Sequence, residues 1–178
     1  TRLLVLAAAA EASGDPVLLQ RAAAILGLDM AAVGPAMDAG LLDIAGRVEF
    51  AHPLARSAAY HSGAVDDRHR VHRALAEATD AERDPDRRAW HRAGAARGPD
   101  EDVAVELECS ADRAQARGGL AAAAAFLERA AALSPDPVTR ARRLLAAADA
   151  KEVAGDPRAA LALLAGVAVT PDWLDFAV

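Results

Sequence analysis

Leu41-Leu42-Asp43-Ile44-Ala45-Gly46-Arg47-Val48-Glu49-Phe50 decides how this chain is read. Two short alternating runs flank the small pair Ala45-Gly46, the pattern of a β-hairpin and the only one in the sequence. Everything around it reads as helix. Upstream, Arg2 to Ala12 ends at Ser13-Gly14, and Asp15-Pro16 opens a second helix through Leu26 that Gly27 stops. Asp29 caps a third helix of about ten residues reaching Gly40, and Gly34-Pro35 makes Pro35 its alternative start. Three helices and then a hairpin is the order of a winged helix. Downstream, His52-Pro53 opens a helix to His61, with Leu54 and Tyr60 as expected core contacts.

From Ala64 onward only helices and short breaks are predicted: 65–79, 86–97, 101–117, 120–133, 138–154 and 158–167, with a further start in the tail 170–178. Ala123, Leu127, Ala130 and Pro135 are spaced four, three and five apart. Ala160 and Leu164 repeat the first step 37 residues later, and Val167 the second. Leu107 and Leu144 take the large position of each first helix. This spacing resembles the tetratricopeptide repeat, helical hairpins of about 34 residues. The expected fold class is all-α with one small β-hairpin, as a winged-helix-like domain over 1–64 and antiparallel, tetratricopeptide-like hairpins over 65–178.

Composition agrees and excludes other classes. The chain has 178 residues, 53% hydrophobic but only 3% aromatic, with about 50 alanines. That is too apolar for disorder and rich in helix formers. The net charge of −6 argues against a chain that coats nucleic acid. A lone cysteine, Cys109, makes no internal disulfide. The apolar start reaches Glu11 too soon to span a membrane, and no membrane partner is expected. A beginning at Thr1 leads us to expect a piece of a longer protein.

Phe50-Ala51-His52-Pro53-Leu54-Ala55-Arg56-Ser57-Ala58-Ala59-Tyr60 resembles a stretch common in the large ATP-binding regulators of the LuxR family. Arg70-Val71-His72-Arg73-Ala74-Leu75-Ala76, Asp86 to His91, Ala116 to Ala123, Leu127-Glu128-Arg129-Ala130 and Leu133-Ser134-Pro135-Asp136 are similar to segments downstream of that stretch in the same regulators. The resemblance covers roughly residues 2 to 168. It implies the middle of a cytoplasmic transcription activator, between a signal-transduction ATPase domain and a C-terminal helix-turn-helix. No Gly-x-x-x-x-Gly-Lys-Ser/Thr loop occurs, so no enzyme activity and no cofactor are expected in this chain, and ATP or ADP belongs to the parent protein. The implied partners are the adjacent ATPase domain, a protein or small-molecule effector, another copy of the chain, and DNA only through a C-terminal domain outside it.

The resemblance also implies that His52 contacts the nucleotide's phosphate, with Arg56 one turn on; the other reading is that His52 caps or packs its helix. The remaining candidates have simpler readings. His61, His69 and His72 are expected to be solvated helix histidines rather than metal ligands, and His91 to flank a Trp90 packing contact. Cys109 is read as a buried small residue, not a nucleophile. Capping accounts for Asp100-Glu101-Asp102 better than acid–base work does. Arg68, Arg70 and Arg73, Arg87, Arg88 and Arg92, and Arg140, Arg142 and Arg143 read as solvated or interdomain faces. The third helix carries Asp38 and no basic residue, which weakens the alternative of a winged helix that reads DNA directly.

Overall fold

The computed structural model describes residues 1–166. It is mostly helical with one two-stranded antiparallel hairpin, the expected fold class. The tail and Val167 lie outside the described residues. Packing divides the chain into two compact units at Gly98.

The first unit opens with α1 (Arg2–Ala10) and α2 (Pro16–Ile25). The Asp15 carboxylate accepts the N–H groups of Val17 and Leu18, and Pro16 stands where no N–H is needed. Gly14 has φ +71°, the left-handed region, and its carbonyl accepts the N–H of Val48 from the hairpin. A Cβ at Gly14 would sit 2.9 Å from the Val48 oxygen, so glycine is needed for both reasons.

The third helix takes the later of its two expected starts. Asp29 caps a 3-10 turn, Met30–Val33, and only then does the five-residue α3 (Gly34–Asp38) form. Pro35 has no N–H to continue an α-helical ladder begun at Met30. Strands β1 (Leu42–Asp43) and β2 (Glu49–Phe50) pair Leu42 with Phe50 and Asp43 with Glu49. Then come α4 (Pro53–His61), α5 (Val65–Ala78) and α6 (Pro85–Ala95).

The division read from the sequence at residue 64 falls inside this unit. Val71, Ala74 and Leu75 of α5 lie in one buried cluster with Leu4 and Leu6 of α1, Leu18 and Leu19 of α2, and Leu42. Leu54, expected in the core, is 72% exposed; α4 buries no residue fully, and Tyr60 and Ala59 are its contacts with the cluster.

The second unit contains α7 (Glu101–Ala116), α8 (Leu120–Leu133), α9 (Pro137–Val153) and α10 (Pro157–Gly166). Each packs on its neighbour in sequence. Asp100 and Asp136 cap α7 and α9, and Gly118 and Gly155 take positive φ at the turns. No single helix among the described residues is long and apolar enough to cross a membrane.

Candidate functional site

Three constellations carry polar chemistry. The first surrounds His52. Its backbone is extended just before α4, and its Nδ1 accepts the N–H of Leu54 at 3.0 Å. It is thus the helix cap. With Nδ1 an acceptor, the neutral ring carries its proton on Nε2, and the residue is exposed. The outward face of this cap is a hydrogen-bond donor at a helix N-terminus, where anions are favoured. Arg56 does not share that direction. Its Nε donates to the carbonyl of Ala9 at 2.9 Å, placing the guanidinium at the C-terminal end of α1. Beside His52, an open crevice of about 440 Å³ is lined by Met37, Leu42, Asp43, Glu49, Phe50 and Ala51. Its two carboxylates are cross-strand partners and would repel a phosphate lodged in the crevice itself.

The second constellation is buried and was not expected. His91 is 2% exposed and His72 is 4% exposed. Their Nδ1 atoms are 3.0 Å apart, and the other nitrogen of His72 is 2.8 Å from the Tyr60 hydroxyl. The reading of His72 as solvated is therefore overturned. His91 lies inside, and its neighbour Trp90 is 43% exposed. Burial, helped by the nearby Arg87 charge, pushes His91 down to about 4. Arg68 lies over the Tyr60 ring at 5.7 Å.

The third sits in the second unit. Arg143 is 1% exposed, not part of a solvated face. It forks onto Glu101 at 2.8 and 3.0 Å, gives Nε to Glu108 at 2.9 Å, and also reaches the Ser134 hydroxyl. Arg142 bonds Glu108 from outside at 3.0 Å. These bonds join α7, α9 and the turn before α9. The Arg143 hydrogen bond holds the Glu101 carboxyl below its ordinary value. Sequence spacing missed this group because its members lie 35 and 42 positions apart.

The residues assigned to repeat packing differ in burial. Leu107, Ala123, Leu127, Ala130 and Ala160 are buried, and Leu144 is half-buried. Leu164 is 41% exposed; its neighbour Leu163 packs against the Ala111, Ala114, Ala123, Leu127 and Ala147 cluster instead. Cys109 is exposed rather than buried. Among the described residues, no three His, Cys, Asp or Glu side chains gather as metal ligands would. No protein-family model matches the chain, and neither the curated proteins nor the solved structures yield a match.

Proposed function

We propose that this chain is a non-catalytic regulatory module of a LuxR-type ATP-dependent transcriptional regulator, working in the cytoplasm. The hairpin-bearing first unit would take the state of a nucleotide held by an adjacent ATPase domain, and the helical hairpins of the second unit would offer a surface to an effector or protein partner. The observation that carries this reading is the disposition of His52. The ring caps α4 through Nδ1, which leaves an exposed Nε2–H donor suited to a phosphate oxygen on a neighbouring domain. Arg56 enters as a brace between α4 and α1 rather than as a second phosphate ligand.

The test uses the parent protein. His52→Gln keeps a side chain able to cap and donate; His52→Ala keeps neither. Loss of nucleotide affinity in His52→Ala, recovered in part by His52→Gln, is the expected outcome. Unchanged affinity and basal activity in His52→Ala would overturn the phosphate contact. A mobility-shift assay with this chain at low salt tests the alternative that the unit reads DNA directly. Tight, sequence-selective binding would defeat the regulatory-module reading. The shortness of α3 and its lack of any basic residue lead us to expect none.

A further inference from the structure

We propose that Tyr60, His72 and His91 form an acid-sensitive lock that holds α6 against α5 and ties both to α4. Its geometry leaves room for only one proton between the two rings. Two Nδ1 atoms 3.0 Å apart can bond only if one donates and the other offers a lone pair. If His72 takes an extra proton, it can still donate to both His91 and Tyr60. Once both rings are protonated, two N–H groups point at each other and the bond is gone. The rings have little room to turn away. A Cβ built at Gly94 would fall 2.6 Å from His72 ring atoms, so the α6 backbone lies directly on that imidazole. The Tyr60 hydroxyl holds the opposite edge at 2.8 Å.

The surroundings favour a neutral His91 ring. On α6, Arg87 is the cation that acts on His91, though it also reaches Glu11, Asp15 and Asp84. Arg88 and Arg92 flank His91 along the same helix. On α5, Arg68, His69 and Arg73 flank His72, and Arg68 lies over Tyr60. From α4, His61 stacks edge-on against Tyr60. Arg2 of α1 is turned to the carbonyl of Ser62, and Arg21 of α2 lies near Asp80. Asp66 and Arg97 bridge the ends of α5 and α6 at 2.9 Å, on the surface. Acidification therefore loads protons into a place that burial and cations both oppose.

Released, α6 separates from α5 and Tyr60 is freed, so α4 loses its tie to α5 while Arg56 still braces it to α1. This inference concerns the first unit alone and stands whether or not His52 meets a phosphate.

Amide hydrogen exchange on the 178-residue chain tests it, after correction for the intrinsic pH dependence of exchange. From about pH 7 to about pH 5, opening of α5 and α6 should become more favourable, while α7 to α9 change little. The share of the added slope that belongs to His91 should approach about tenfold per pH unit, one proton's worth. In His91→Gln, which can bond His72 but cannot itself titrate, that share of the slope should be lost. An identical slope in wild type and His91→Gln overturns the proposal. Should the variant fail to fold, the ring resonances of the wild-type histidines decide. His91 must remain neutral well below pH 6.5, and an ordinary titration there refutes the lock.

Discussion

Arg143 uses Nε and both terminal nitrogens on two carboxylates of α7 and the Ser134 hydroxyl of the turn before α9. Truncating it strips the buried end of that network. Arg143→Ala should lower the stability of the second unit by about 3 kcal/mol, read from urea denaturation. Arg143→Lys should recover only a minor part, because an ammonium cannot fork onto Glu101. The acid response has a sign set by the same contact. Glu101 is held below its ordinary 4.5, so its contribution is present above that value and fades as pH falls through the lower folded value. His91 works earlier. Its folded value of about 4 lies below 6.5, so the unfolded chain binds the extra proton between those limits and stability drops as pH falls from 6.5. The two groups titrate in different windows and belong to different units, and Arg143→Ala should abolish only the lower one. Neither group was legible in the sequence. Spacing rules see neighbours three or four positions away, whereas His72 and His91 stand 19 apart on separate helices.

Helix boundaries were legible where a side chain caps the backbone. Asp15-Pro16, Asp84-Pro85 and Asp136-Pro137 each cap a helix whose first residue is the proline, and Asp100 caps α7. Asp100→Ala should cost about 1 kcal/mol, measured as a shift of the urea midpoint of the second unit. At the third helix the sequence left two starts open, and the N–H that Pro35 lacks decides for the later one. Packing between elements can also reverse a helix preference. Glycine inside an exposed helix is worse than alanine by about 1 kcal/mol, yet Gly94 faces the His72 ring. Gly94→Ala should therefore destabilise the first unit, by about 1–3 kcal/mol of overpacking, rather than stabilise it. Thermal melts of the variant and wild type settle the sign.

At the scale of the whole molecule, the two units are distinct objects. A fragment ending at Gly98 keeps α5 and α6 and should unfold cooperatively in urea. One ending at residue 64 lacks Val71, Ala74 and Leu75 and should not, since those side chains complete the buried cluster under α1 and α2. The sequence showed where helices gave way to the hairpin, but not that a later helix pair would close over that first cluster. The change of pattern at residue 64 marks a change of motif, while burial marks where a core ends.

Most buried apolar side chains among the described residues are alanines. A methyl group has almost nothing left to remove, so truncation, the usual route to damage in a protein interior, is closed at those positions. The vulnerability runs the other way. Alanine-to-valine and alanine-to-threonine changes, each a single-base step from any alanine codon, would press a branched side chain into the narrow seams where Ala104, Ala123, Ala130 and Ala147 are wholly buried. At those four positions, tolerance to substitution is thus set by crowding rather than by truncation.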